Sequence, residues 1–472
     1  MTKLPRPSQA ELDRMSHAEK DALILKLSDR LEGYERRLSE LEQKIEKTSR
    51  NSSQPPSADG LKRPAAEPRT RGDKPNGGQP GHRGLTRAWG ETPDEVVELQ
   101  PVGNGNCGAV LAGLPGMVGE RRQQIEIPEP KVIVTEYRQV VVTCSCGRVH
   151  RGEFPVGVTP YVSYGPRLKA YAVGLVQGHF VALTRTAEVL ADQYGVRPSD
   201  GTVQHWVQQA AVALQPTYEA SRQALVASAV VHFDESGVRV NGQTHWLHVA
   251  GTVDHAFYTI HPKRGQEAME AAGILPQFTG QAVHDHWKPY WGYDAVTHNL
   301  CNAHHLRELR YFEEATGHYW PIGLRQVLVE GKCKVQAAQA EGKTALDTDQ
   351  VESLLARYDT LVANGVKVFP ERPPMPGRQG RPKQEPATNL LIRLRDFKNE
   401  VWRFLTDGRV PFDNNLAERL VRPVKVKLKV AGGFRALGGS EAFCIIRSVW
   451  ETNKRQSINP FHTLRLAFEG AK

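Results

Sequence analysis

Apolar residues along this chain change period several times, and each change marks an element. From Ile24 the apolar positions Ile24, Leu27, Leu31, Tyr34, Leu38, Leu41 and Ile45 step alternately by 3 and 4, with Glu and Lys/Arg on the flanks. That a/d seam over three heptads predicts a coiled-coil, leucine-zipper-like helix over 1–48 that pairs copies of the chain. A helix packing its stripe on its own chain fits the same pattern. Asn51-Ser52-Ser53-Gln54-Pro55-Pro56-Ser57 breaks the helix, and 49–95 reads as a Pro/Gly-rich linker. Residues 96–160 alternate as short strands, Val132-Ile133-Val134 and Tyr137 to Val142.

Helical spacing returns in 161–225, where Leu183 to Tyr194, Gly195 as a turn, and Gly201 to Ala210 have helix-turn-helix proportions. Ser199 or Asp200 caps the second helix, Val203, Trp206 and Val207 face inward, and Thr202, Gln204, His205 and Gln208 are left to face DNA. Within 226–310 the pattern turns β. Val230 to Asp234 is a strand, and Val238 to Val240 pairs through Asn241-Gly242 with His245 to Ala250. Phe257 to Ile260, Ala282 to Asp285 and His298 to Cys301 follow, with a helix at Gln266 to Ala272 and another through Leu306 and Leu309. Three meandering strands, a helix, then parallel strands with helices is the order of the ribonuclease-H-like α/β fold, in which the first and fourth strands adjoin. Residues 311–406 read as a helical insertion, including Val351 to Val362 and a last helix at Leu390, Leu394, Phe397, Val401 and Phe404, with the basic loop Arg372 to Lys383 between them. The second part of the core, 407–472, opens with a helix capped by Asp413 or Asn414 and ended by Pro423. Lys425, Lys427 and Lys429 then alternate as one edge of a cationic strand before Gly432-Gly433-Phe434-Arg435.

Charge adds a polyanionic partner. Lys plus Arg exceed Asp plus Glu by 61 to 52, for a net +9. Lys62, Arg63, Arg69, Arg71, Lys74 and Arg83 crowd the linker against Glu67 and Asp73, as a strip that tracks phosphates would, although a solvated linker has the same composition. At 472 residues and a mean hydropathy of −0.47, with no apolar run of membrane-spanning length and no secretory h-region, a cytoplasmic, nucleoid-associated protein of several domains is expected. Of the six cysteines, Cys107, Cys144 and Cys146 bracket the small β module. They point to a zinc-finger-like unit whose fourth ligand would be His150 or a remote residue.

Two apolar strands end alike in Asp, at Asp234 and Asp285, and Glu418 stands on the helix that follows the insertion. Three acids on separate elements suit two Mg²⁺ (or Mn²⁺) ions, which take hard oxygen ligands and clamp an in-line displacement at phosphorus. By helical spacing alone Glu418 lies opposite Leu416 and Leu420, on a solvated face or on one bordering a cleft. His232, His284, His286, His304 and His305 admit a rival, a zinc hydrolase of small substrates, although no H-E-x-x-H pair is present.

Seven ordered blocks resemble the transposases of insertion sequence family 66. They are Ser52-Ser53-Gln54-Pro55-Pro56-Ser57, Gly77-Gly78-Gln79-Pro80-Gly81-His82, His232-Phe233-Asp234-Glu235-Ser236-Gly237, Val283-His284-Asp285-His286-Trp287, Cys301 to Leu309, Asp413 to Arg419, and Gly432-Gly433-Phe434-Arg435. The resemblance implies an Asp-Asp-Glu transposase that cleaves the ends of its element and transfers the freed 3′-hydroxyl, with Asp234, Asp285 and Glu418 as catalytic metal ligands. It also implies double-stranded DNA, further copies of the chain and small accessory proteins as partners. A non-catalytic DNA-binding regulator descended from such an enzyme is the alternative. The chain departs from the family pattern at Asn104 and Cys107, where members usually carry Cys-x-x-Cys, and at the shortened Cys144-x-Cys146.

Overall fold

A computed structural model describes residues 15–23 without 18 and 22, 87–373 without 156, 159 and 160, and 382–470. The heptads from Ile24 to Ile45, the linker cations Lys62, Arg63, Arg69, Arg71, Lys74 and Arg83, and most of the loop Arg372–Lys383 lie outside these residues.

The centre is a mixed α/β unit built on a five-stranded sheet. β3 (Val230–Val240), β4 (Gln243–Gly251), β5 (Ala256–His261), β6 (Gln281–His284) and β7 (Thr297–Leu300) are ordered β5-β4-β3-β6-β7. The first three pair antiparallel, whereas β6 and β7 run parallel to β3, so the first and fourth strands adjoin as expected. Asn241 and Gly242 both have positive φ (48° and 74°), which closes the two-residue hairpin between β3 and β4.

Strand alternation divides the sheet into two faces. Val231, Phe233, Ala250, Phe257 and Ala282 pack on one side with Met269 of α4 (Gln266–Ala272), Phe278 and Tyr290. Val238, Val240, Leu247, Val249 and Tyr258 pack on the other with Ala417, Leu420, Val421 and Val424 of α10 (Asn415–Ala431) and Phe443 of α11 (Leu437–Arg455). Gly251 lets α10 lie against β4: a Cβ there would stand 2.5 Å from Leu420 Cδ1.

The helices flank this sheet. α1 (Pro166–Val173), α2 (Leu183–Tyr194), α3 (Asp200–Val226), α11 and α12 (Pro460–Gly470) share one core, in which Val203, Trp206 and Val207 meet Ile446, Val449, Trp450 and Leu464. α5 (Asn302–Thr316) leads from β7 into the insertion: α6 (Tyr319–Ala340), α7 (Thr348–Val368), α8 (Pro386–Asp396) and α9 (Lys398–Trp402) enclose Leu324, Tyr358, Leu391 and Trp402 in a core of their own.

Several expectations change. β3 is one strand of 11 residues, so Asp234 lies inside it rather than at its end. The second helix after the Gly195 turn runs to Val226, not Ala210, because the apolar stripe continues through Ala211, Leu214 and Leu225. The helix read from Leu390 to Phe404 breaks at Phe397 into α8 and α9. Pro423 does not end α10, which continues to Ala431. Its ring removes the helical donor to the Arg419 carbonyl, and the next carbonyl, Leu420, accepts a hydrogen bond from the Tyr258 hydroxyl at 2.9 Å. Lys425, Lys427 and Lys429 are therefore helical, not one strand edge, since residues two apart on a helix face different sides. In the small module the pairing is β1 (Val141–Thr143) with β2 (Val149–Arg151), and Val132–Val134 is not a strand.

Candidate functional site

The parallel pairing of β3 with β6 sets the first two acids. Val230 stands opposite Gln281, Val231 opposite Ala282 and His232 opposite Val283. The pairing stops there; Asp234 lies two residues further along β3, and Asp285 two residues past Val283, just after β6 ends at His284. Asp234 continues the alternation of His232, which directs it to the face that α10 covers, whereas Asp285 directly follows β6, where the charges of Glu235, Arg264 and Arg393 act on it. Asp234 and Asp285 are mostly enclosed but keep part of their surface open. Burial raises the Asp234 pKa well above the ordinary carboxylate range, and the charges of Glu235, Asp285 and Glu418 raise it further. Asp285 is pushed up to about 7, by burial first and then by the charge of Glu235.

Glu418 lies in the first turn of α10, and Asn414 fixes where that turn sits. This buried side chain does not cap its own helix. Its Nδ2 donates to the Phe233 carbonyl at 2.7 Å, and its Oδ1 lies 2.9 Å from His232 Nδ1. Its backbone N–H donates to Cys301 Sγ at 3.1 Å. The helix start is thus tied to the strand residue before Asp234 and to the end of β7. The carboxylate of Asp413 accepts from the Asn415 N–H at 3.2 Å.

Glu235 faces the opposite side of β3 and is engaged there. Arg264 grips its Oε1 (2.6 Å from Nη2, 3.1 Å from Nε), and the Tyr290 hydroxyl donates to its Oε2 at 2.8 Å. Arg264 stacks between Trp246 and Trp287, 4.8 and 4.1 Å from the ring centres.

Among the described residues, the trio of His, Cys, Asp or Glu whose ligand atoms all lie within 4.8 Å of one another is Cys301, His304 and Glu418. Asp234, Asp285 and Glu418 are electrostatically coupled but wider than that. Cys107, Cys144 and Cys146 do not form such a trio either. Cys144 and Cys146 have their sulfurs 3.1 Å apart, and Cys107 is not grouped with them. The histidine set of the zinc-hydrolase reading disperses: His232 pairs with Asn414, His284 with His298, and His305 with Asn302.

The basic residues divide by location. On α10, Lys425 shares the stripe of Glu418 at a spacing of seven residues and is close enough to Asp234 to feel its charge. Arg422, not singled out by the sequence reading, lies on the same stripe and is exposed, as are Lys429 and Arg435. Lys427 lies off that stripe, half-buried, with its pKa lowered by burial. On α3, Thr202 is occupied by the Ser199 cap, and Gln208 donates to the Gly438 carbonyl at 3.3 Å. His205 is exposed and Gln204 half-buried. Sequence spacing missed Asn414 as a link between strands, because its partners lie about 110 and 180 residues away.

A family model described as "Transposase IS66 family" matches residues 161–442. Another, described as a family of unknown function (DUF6444), matches residues 4–88. No curated protein matches the chain. The first match spans the α1–α3 helices, the whole five-stranded sheet, the insertion and α10, and so takes in both strand aspartates and the helix glutamate. On that match, the chain belongs to the IS66 family of transposases.

Proposed function

We propose that this transposase binds the ends of its element, cuts the DNA there and joins the freed 3′-hydroxyl to a new site, working from a ribonuclease-H-like core. Asp234, Asp285 and Glu418 are its catalytic carboxylates, and two Mg²⁺ or Mn²⁺ ions are its cofactors. The observation that supports this reading is the parallel β3–β6 pairing just before Asp234 and Asp285, with the charges of Asp285 and of Glu418 in the first turn of α10 both acting on Asp234. The donor set fits a hard dication. Burial favours the protonated forms of Asp234 and Asp285, the charges of Asp285 and Glu418 add to this at Asp234, and a cation beside them would relieve both effects. When bound, such ions activate the attacking oxygen and stabilise the leaving oxygen of phosphoryl transfer.

The remaining roles belong to the chain itself. Asn414 is a positioning residue that holds the start of α10 against β3. Arg422, Lys425 and Lys429 continue the Glu418 stripe as a cationic track for the phosphates next to the scissile one. Arg264 neutralises Glu235, so that this acid does not compete with Asp234 and Asp285 for cation. Gln204 and His205 on α3, Arg435 and the linker cations extend the grip on DNA, and the heptads from Ile24 pair protomers.

Duplexes carrying the element ends, incubated with Mg²⁺ or with chelator, test the reading. Nicking should require the metal and fall by at least about 100-fold in Asp285→Asn, with end binding retained. Nicking that persists in this variant overturns the assignment. End binding with no metal-dependent nicking in the unmodified chain favours the regulator instead.

A further inference from the structure

Cys301, His304 and Glu418 bring three different ligand types to one point. Cys301 follows β7 as the N-cap residue of α5, His304 lies in the first turn of α5, and Glu418 lies in the first turn of α10. Sulfur, imidazole nitrogen and carboxylate oxygen all fall within 4.8 Å of one another. Ligand atoms around a tetrahedral zinc ion stand roughly 3–4 Å apart, so small side-chain rotations close the set. Two of these residues are conspicuous for another reason: His304 Nδ1 and Glu418 Oε1 are both buried without a hydrogen-bond partner. Orphaned buried acceptors are costly, and a shared cation would satisfy them together.

We infer that Cys301, His304 and Glu418 bind one borderline-soft divalent ion of the Zn²⁺ class, at a site separate from the Asp234–Asp285 pair. A thiolate and an imidazole select Zn²⁺ over Mg²⁺, which prefers oxygen and keeps its waters. Cys301 releases its thiol proton to solvent on binding. Its sulfur accepts the Asn414 backbone N–H, but burial raises the pKa of the thiol, so the thiolate forms with the ion in place. Arg307, with Nη2 3.7 Å from Glu418 Oε1, is the present neighbour of that oxygen. It is about one-third exposed and turns to solvent when the ion enters. The bound ion ties the first turn of α5 to that of α10 through Glu418. The inference does not rest on the two-aspartate reading, because the ligands other than Glu418 take no part in it.

Cobalt(II) binding to the full-length chain tests this without DNA. Thiolate ligation gives a near-ultraviolet charge-transfer band that oxygen and nitrogen ligands do not. To exclude the small β module, the titration uses a chain with Cys107, Cys144 and Cys146 all replaced by Ser. One equivalent of Co²⁺ should produce the band, and one equivalent of Zn²⁺ should displace it. The band should disappear in Cys301→Ser, weaken at least tenfold in affinity in His304→Gln, and persist in Asp285→Asn. Absence of the band while Cys301 is intact overturns the proposal, whatever the folding of the other variants. Persistence in Cys301→Ser overturns it equally. A nicking failure with the band intact would count against the catalytic carboxylates and leave this site standing.

Discussion

Alternation along β3 separates two adjacent acids into different environments. Asp234 shares the α10 face with His232, whereas Glu235 is ion-paired with Arg264 on the other face and accepts a hydrogen bond from Tyr290 there. The same rule places His248 of β4 among Phe233, Met269 and Tyr290, where it is buried and its Nε2 has no partner. Burial, and then the charges of His261 and Arg264, depress its pKa to about 4. The unfolded imidazole titrates near 6.5, so between these values the unfolded state binds the extra proton, and stability is lost as pH falls through that window. His248→Gln should therefore flatten the acid limb. Chemical denaturation at pH 7 and pH 4.5 should show unmodified protein losing about 2 kcal/mol more than the variant. Parallel losses would mean His248 is not the group that titrates. The residue types at this scale were plain in the sequence. Their partners were not, because Arg264 and Tyr290 reach Glu235 from 29 and 55 residues away.

At the scale of elements, α10 departs furthest from local expectation. Pro423 and three lysines at every second position read as a stop followed by a strand, yet the segment is one helix. Val421, Val424 and Leu428 continue the apolar stripe of Ala417 and Leu420 onto the sheet, and that burial outweighs one missing helical hydrogen bond. Gly432, with φ at 71°, ends the helix, and Gly433 lets the chain pass Arg239, whose carbonyl oxygen would lie 2.7 Å from a Cβ. Phe434 then pairs with the β3–β4 hairpin. The start of α10 depends instead on Asn414. Replacing it with Leu leaves the Phe233 carbonyl and His232 without their partners and should cost about 1–3 kcal/mol of stability. If Asn414 also positions Glu418, nicking at saturating DNA should fall about tenfold or more at a temperature where the variant is fully folded. Normal turnover in a destabilised Asn414→Leu would confine the residue to a structural role.

Across the whole molecule, apolar burial is uneven. Described residues within 164–470 supply the cores above, and the described residues of 87–163 contribute none to any of them. In that earlier stretch Val96, Leu99, Val102, Met117, Ile127, Ile133 and Val134 are exposed. Backbone with few buried contacts opens first, so limited proteolysis should cut within 87–163 and leave a fragment that starts near Tyr164 and resists further digestion. Mass spectrometry of the early products checks this, and first cuts inside the sheet or the insertion would refute it. α3 shares its core with α11 and α12, joining chain positions more than two hundred residues apart. A helix pair that resembles a free-standing DNA reader in sequence is therefore built into the body of the protein.

What the sequence determined alone was whatever depends on near neighbours: the Asn241-Gly242 hairpin, the succession of strands, the helix over Gln266–Ala272 and the helical insertion. Turn preference, side-chain period and local motif are encoded within a few residues. Tertiary structure alone decided that the charges of Asp285 and Glu418 act on Asp234, that α10 runs through Pro423, and that Cys301 and His304 gather at Glu418. Those outcomes follow from strand register and from apolar surface shared between distant segments, and no short stretch of chain carries that information.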